Sequence, residues 1–544
     1  MSRTNRKIAK EHWSKTAVIY QIYPRSFKDS NNDGIGDLNG IIEKLDYLND
    51  GTKNSLGIDA IWLSPIYKSP MADFGYDISD YYDIDPIFGD LKTFEKLISE
   101  AHKRNIRVIM DFVANHTSSQ HPWFIESSSS RNNPKRDWYI WKDPKAHGLP
   151  PNNWLSEFGG SAWEYDKKTG QYYLHKFLPE QPDLNWFNPE VVREMKNILR
   201  YWIKKGVDGF RLDAIAHLAK DKQLRDDLPN PDYVSGKDNP HKSLLHVNSR
   251  SNLDVIPIIE GFCNVIGKDH FMVGEISPTL EELASFYQAC AEKIHIPFNF
   301  NLINLPWNAQ AFRRFIDTYD QVIGPDNLSN YVLGNHDQPR VASRIGKDRA
   351  RVAAMLLFTL RGMPFIYYGE EIGMEDYLIP EDQVQDPWGK RVSGFGLGRD
   401  PERTPMQWNK KPYAGFSNGK PWLPVNKNYQ EIHVESELSD PHSILSLYRK
   451  LIQYRKNFPV ILRGSYHSLD AGDSSVFSFM RELGDEKVLI LLNFSEQKKT
   501  ITFDFNKAKV AVNTHLDKNF GIEANLKNFV LRPNEGYVLE VAKR

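Results

Sequence analysis

Eight short apolar runs, separated by amphipathic helical stretches along a chain of 544 residues, constrain this sequence more than any other feature. They are "VIYQIYPRSF", "AIWLSPI" (60–66), "VIMDFVANH" (108–116), "GFRLDAI" (209–215), "FMVGEIS" (271–277), "IPFNFN", "NYVLGNHD" (330–337) and "PFIYYGEE" (364–371). Near-continuous apolar runs of this length are the pattern of strands buried in a parallel sheet. The helices between them are equally legible. In "DLKTFEKLISEAHKRN" Asp90 can cap, while Phe94, Leu97, Ile98 and Ala101 form one face. In "NPEVVREMKNILRYWIKKG" Asn188 caps, Pro189 takes the first turn, Val192, Met195, Leu199 and Trp202 point inward, and Gly206 stops the helix. Strand–helix alternation means βαβ units. A count of eight fits a (β/α)8 TIM barrel better than an open doubly wound sheet, and no glycine-rich phosphate turn follows the first strand. The expected fold is α/β.

Two stretches break the rhythm. Residues 117–187 follow the third strand and carry six of the 13 tryptophans (Trp123, Trp138, Trp141, Trp154, Trp163, Trp186), so they read as an inserted domain. These rings could be sugar-stacking walls or the packing of a loop-rich insert. From about residue 468 the period changes to two, in "SVFSFMRE", "KVLILLNF" and "KKTITFDF", where Ile501, Phe503 and Phe505 alternate with polar residues. That is an appended antiparallel β-domain. The chain therefore divides into barrel (1–116 and 188–467), insert (117–187) and C-terminal β-domain (468–544).

Composition removes several classes of function. A net charge of −1 gives no bulk-charge argument for nucleic acid. The two cysteines, Cys263 and Cys290, have no metal-ligand spacing and form no disulfide framework, so buried free thiols are expected. The start, "MSRTNRKIAKEHWSK", has no apolar core of a signal peptide, and no apolar run reaches membrane length. A soluble cytoplasmic protein is expected, as monomer or dimer.

In a barrel the chemistry lies at the C-terminal ends of the strands. There the third strand presents Asp111, Asn115 and His116. The fourth carries Arg211 and Asp213 two apart and so on one side, the fifth presents Glu275, and the seventh leads to His336 and Asp337. Singly, each could be an ordinary ion pair. Convergence of several buried charges on one mouth is not what stability selects, because buried ion pairs stabilise weakly. Two carboxylates across a scissile acetal perform glycoside hydrolysis. Arg211 beside Asp213 would hold it ionised as a nucleophile, and Glu275, with no base adjacent in its strand, suits a protonated acid. Asp337 and the histidines could bind sugar hydroxyls more tightly in the transition state. The loop "DSNNDGIGDLNG" (29–40) alternates Asp29, Asn31 and Asp33 before Gly34, like a calcium loop, but lacks the final bidentate acid of an EF-hand. A cation site and a solvated acidic turn both fit.

The motifs "DFVANH", "GFRLDAI", "GEIS", "GNHDQPR", "QPDLNW" (181–186) and "RTPMQW" (403–408), in this order, make the chain resemble the α-amylase superfamily (glycoside hydrolase family 13) over nearly its whole length, in the oligo-1,6-glucosidase/α-glucosidase branch. The resemblance implies Asp213 as nucleophile, Glu275 as acid/base and Asp337 as transition-state carboxylate. It implies that His116, Arg211 and His336 line the −1 sugar site. In "DFGYDISDY" it makes Asp73, with Arg403, the grip on the terminal glucose, and Tyr76 its stacking platform. Such a grip would make a retaining, exo-acting α-glucosidase with transglycosylation. It also implies a structural Ca²⁺, or Mg²⁺, on Asp29, Asn31, Asp33, the Ile35 carbonyl and Asp37. Relatives favouring α-1,6 bonds tend to carry Val after the nucleophile, and this chain has Ala214, so the expectation leans to α-1,4 substrates such as maltose. The alternatives are an oligo-1,6-glucosidase or a sucrose/maltose isomerase. A trehalose-phosphate hydrolase is conceivable, but no phosphate-binding cluster is legible. A non-catalytic transporter-associated relative would have lost the carboxylates.

Overall fold

All eight apolar runs are strands of one sheet in the computed structural model, which describes residues 12–251, 253–290, 295–392, 394–503 and 507–541. They are β1 (Ile19–Ile22), β2 (Ala60–Leu63), β3 (Arg107–Val113), β4 (Gly209–Asp213), β5 (Phe271–Gly274), β6 (His295–Pro297), β7 (Ser329–Val332) and β8 (Gly362–Tyr367). Their order is β6-β5-β4-β3-β2-β1-β8-β7, and every adjacent pair is parallel. Among the described residues no ladder joins β6 to β7. Asn330 spans that seam instead, donating from Nδ2 to the Pro297 carbonyl (2.7 Å) and accepting from the Asn299 N–H (3.0 Å). The result is a (β/α)8 barrel.

The helices form for local reasons. In α1 (Leu91–Lys103) Asp90 accepts the Thr93 N–H, and Phe94, Leu97, Ile98 and Ala101 are buried. In α2 (Pro189–Lys204) Asn188 accepts the Glu190 N–H, but the buried residue of the first turn is Val191, and the expected Val192 only edges the core. Two further helices, α3 (Ile256–Ile266) and α4 (Leu280–Ala289), follow β4 and β5. They bring Cys263 and Cys290 into a disulfide, with Cα atoms 6.1 Å apart. Both cysteines are buried, as expected, but they are not free thiols. The pairing comes from side-by-side packing of consecutive barrel helices, which spacing in sequence does not display.

The insert contains a short helix (Pro122–Ser129) and a three-stranded antiparallel sheet (Trp141–Lys142, Gln171–Leu174, Trp163–Asp166). Trp154 and Trp163 build a small core there with Ala162 and Leu174, while Trp123, Trp138, Trp141 and Trp186 pack onto the barrel core. The six tryptophans are therefore packing residues. At the far end of the chain an antiparallel sheet starts with the strand Ser465–Leu469, followed by its hairpin partners Val476–Leu483 and Glu486–Asn493. Ile501 and Phe503 are buried as the alternation requires, and Phe505 lies outside the described residues. So do residues 1–11 of the stretch read against a signal peptide. No helix among the described residues is long and apolar enough to cross a membrane.

Candidate active site

β4 and β5 carry the centre of the site. Asp213 is the last residue of β4 and Glu275 the first after β5, and their backbones are tied by the Glu275 N–H to the Leu212 carbonyl (2.8 Å). Arg211, buried in β4, connects the acids. Its Nη1 donates to Asp213 Oδ1 (2.7 Å) and to both oxygens of Asp111 on β3 (2.8 and 3.0 Å), and its Nη2 donates to Glu275 Oε2 (2.6 Å). The absence of a base near Glu275 in its own strand is thus made good from the neighbouring strand, and Arg211 by itself does not mark Asp213 as the ionised member. Burial, with Glu275 and Asp111 nearby, pushes the Asp213 carboxyl above the usual carboxylate range against the pull of Arg211. Burial likewise pushes Asp111 up to about 6. Asp111 and Asp213 thus both hold protons more readily than free carboxyls although they share one guanidinium.

The two acids differ in access. The Glu275 side chain is 29 % exposed and Asp213 only 9 %. Ala214 fixes Glu275 further by donating its N–H to Oε2 (2.9 Å) from a left-handed backbone conformation (φ 43°). This contact is made by the backbone of residue 214 and not by its side chain.

The other expected residues surround this pair. Asp337 accepts from Arg403 Nη2 (2.8 Å) and Arg399 Nη1 (3.2 Å). Burial works to raise its carboxyl, but His336, Arg399 and Arg403 bring it well below the usual range. His336 receives the Gln21 amide N–H at Nδ1 (2.7 Å), which leaves its Nε2–H for Tyr76 Oη (2.6 Å). The Tyr76 and His336 rings stack at 5.6 Å. Burial lowers His336 to about 3 and His116 to about 4, so both rings are neutral at pH 7. His116 takes the Asn115 amide at Nδ1 (3.2 Å) and donates from Nε2 to the Tyr76 carbonyl (3.1 Å), while the Gln181 amide beside it donates to Asp73 Oδ2 (3.2 Å).

One expected contact moves. The partner of Asp73 is Arg399, at 2.8 Å, and not Arg403. Arg403 lies one layer behind, on the His336 carbonyl (2.7 Å) and Asp337. Arg399 is itself held by Asp386 (2.7 Å) and by the face of Phe158 (4.9 Å). The motif "RTPMQW" drew attention to its own arginine, and the "GRD" four residues upstream carries the one that reaches the cavity. Gln181 opens the quoted motif "QPDLNW" but had no role assigned from it, and nothing local in sequence aims Asp386 here.

The cavity enclosed by these groups has a volume of ≈ 370 Å³. Its lining includes Asp73, Tyr76, His116, Asp213, Glu275, His336, Asp337 and Arg399, with Phe158, Phe177, Phe300 and Trp388 as its aromatic walls. Asp73 and Arg399 in this lining are themselves buried, as is Asp386 behind Arg399.

The 29–37 loop lies apart from this cavity. By residue type, Asp29, Asn31, Asp33, the Ile35 carbonyl and Asp37 are the hard oxygen donors that Ca²⁺ takes. Their oxygens are engaged within the protein: Asp29 accepts from the Asn31, Asn32 and Gly34 N–H groups and from Ser417, and Asp37 accepts from Ser30 and the Gly40 N–H at a helix start. Among the described residues no three acidic, histidine or cysteine side chains converge as a metal cage would. The residue types, which include an amide and a carbonyl oxygen beside the three acids, fit the ion.

A closed barrel mouth with paired carboxyls on a shared arginine is the site of a glycoside hydrolase. Residues 21–464 match the α-amylase catalytic domain, and 466–538 match the maltogenic amylase C-terminal domain. The chain belongs to the α-amylase family. It is 40% identical to the oligo-1,6-glucosidase of Parageobacillus thermoglucosidasius, over 97% of this chain and 99% of that one. Among solved structures it is similar to the alpha-glucosyl transfer enzyme XgtA (TM-score 0.90, 37% identity, 98% of this chain and 100% of that one). It is also similar to the isomaltulose synthase of Protaminobacter rubrum (TM-score 0.87, 37% identity, 98% and 100%).

Proposed function

We propose that this protein is a retaining, exo-acting α-glucosidase that removes single glucose units from the non-reducing end of short α-1,6-linked oligosaccharides such as isomaltose. The observation that carries the reading is the placement of Asp213 and Glu275 on one guanidinium, in a cavity also lined by the Asp73–Arg399 pair. The α-1,6 choice draws on the oligo-1,6-glucosidase relative and replaces the α-1,4 expectation drawn from Ala214.

In this reading the terminal glucose sits against Asp73 and Arg399, over Tyr76 and between His116 and His336. Asp213 attacks C1 while Glu275, the more exposed acid, protonates the glycosidic oxygen and the leaving sugar departs. Glu275 then takes a proton from water, which displaces Asp213 and restores the α-configuration. A sugar hydroxyl in place of water gives transglycosylation. Asp337, held ionised by two arginines, stabilises positive charge on the flattened ring. The 29–37 loop is proposed to take Ca²⁺ as a structural ion, and no step involves it.

Glucose release from isomaltose and maltose, with Asp213→Asn as blank, tests the reading. Faster release from isomaltose supports it, and faster release from maltose restores the α-1,4 assignment. The likeness to an isomaltulose synthase supports one second reading, isomerisation of sucrose. Incubation with sucrose that yields a rearranged disaccharide, with little free glucose, would establish that reading instead.

A further inference from the structure

The same cavity is lined by a second polar group with no part in the chemistry above. Near it the Phe177 ring stands 5.1 Å from His116 and 5.4 Å from His217. His217 sits on the turn that follows Asp213 and Ala214, and it lines the cavity together with Glu157 from the insert. Glu157 approaches His217 Nε2 at 3.5 Å, His241 Nε2 at 3.3 Å and Lys176 Nζ at 4.0 Å. The carboxylate is thus drawn toward three nitrogens from three separate segments. Oε1 faces His217 and Oε2 faces His241, which fixes the carboxylate, while the side chain keeps 24% of its surface exposed and lines the cavity.

We propose that Glu157, positioned by His217 and His241, is the acceptor for a hydroxyl of the departing sugar and makes this enzyme select polyhydroxylated leaving groups. The inference rests on the glucosidase reading, since it takes the Asp73–Arg399 pair as the seat of the terminal glucose. A fixed, partly desolvated carboxylate accepts a sugar O–H in a charge-assisted hydrogen bond. A substrate with no hydroxyl beyond the scissile bond cannot use it. Glu157 therefore contributes to kcat/KM only when the leaving group is a sugar.

The test compares isomaltose with α-glucosyl fluoride, whose leaving group has no hydroxyl, for wild type, Glu157→Ala and Glu157→Gln. Loss of one hydrogen bond to a charged acceptor predicts a fall in kcat/KM on isomaltose of about 10- to 100-fold in Glu157→Ala. Activity on the fluoride should stay within about twofold of wild type, which also shows that the variant folds. Glu157→Gln, which keeps an acceptor oxygen, should recover part of the isomaltose activity. Equal losses on both substrates, or no loss on either, would overturn the proposal while leaving the glucosidase reading intact. A wild-type enzyme inactive on both substrates would defeat that reading, and this one with it.

Discussion

Arg399 holds Asp73 at 2.8 Å although 326 residues of sequence separate them. The same guanidinium touches Asp337 and Asp386, so three carboxylates that would repel one another are kept together by one side chain.

Arg399→Ala should therefore do more damage than its single contact with substrate would suggest. Removing one partner from a buried pair costs about 3–5 kcal/mol. We expect kcat/KM on isomaltose to fall by at least about 100-fold, mostly through KM, since the glucose grip is lost. Steady-state kinetics with folding checked by circular dichroism would decide. An unchanged KM would mean that Asp73 does not need this arginine.

Glu275→Gln should separate the proton-donating step from the rest. General acid catalysis contributes roughly 10²–10⁴-fold, so isomaltose hydrolysis should fall within that range. Fluoride leaves without a proton, so α-glucosyl fluoride should still form the glucosyl-enzyme. Burst kinetics on the fluoride would show it, and the absence of a burst would remove Glu275 from the acid role.

Acid should destabilise the fold before it touches ordinary surface carboxylates. His116 and His175 are lowered to about 4, and His121 and His336 to about 3, all chiefly by burial. Unfolded histidines titrate near 6.5, so between that pH and about 4 the unfolded chain binds protons that the native state does not. Stability is then present above pH 6.5 and declines as pH falls, by up to about 1.4 kcal/mol per pH unit for each such histidine. Urea midpoints measured from pH 7 to 4.5 should fall, and His121→Gln, away from the site, should flatten the slope. A flat profile in the wild type would contradict the buried neutral rings.

Reduction of Cys263–Cys290 should lower the melting temperature. The bond spans 27 residues of sequence, and closing a loop of that size is worth about 3–4 kcal/mol in the chain-entropy account. Cytosolic thiols are normally kept reduced, so the pair would be open in that compartment. Thermal unfolding with and without dithiothreitol, against Cys263→Ser as control, would measure the difference. The variant itself should not respond to reductant.

Chelation provides a test of the 29–37 loop. If it holds Ca²⁺ in the native state alone, a concentration of 100 times Kd adds about 2.7 kcal/mol. EDTA should lower the melting temperature, and Asp33→Ala should abolish that response without changing kcat. No shift in the wild type would leave the loop as a turn closed by its own N–H groups.

The barrel was readable because its strands are apolar on both faces and its helices carry caps. Asp90 and Asn188 cap where their chemistry says they should. Strand-end carboxylates were readable because a barrel sends all strand ends to one mouth. What sequence could not show was pairing across distance. Arg399 for Arg403, the disulfide, and the meeting of Glu157 with His217 and His241 each depend on where loops from different segments come to rest. The tryptophans of the insert left two readings open for a related reason: an aromatic ring packs a core or walls a sugar site with the same composition.

The seam between β6 and β7 has a consequence for motion. Elsewhere around the ring, neighbouring strands share a run of main-chain bonds, but here, among the described residues, the Asn330 side chain bridges the gap. Asn330 acts as a clasp, and a clasp opens more readily than a woven band. The segment just past β6 carries Phe300, Ile303 and Asn304, which form one wall of the cavity. The wall beside the clasp is thus the part of the barrel freest to breathe, and the Asn299 amide should exchange with deuterium sooner than those within the seven paired strand interfaces.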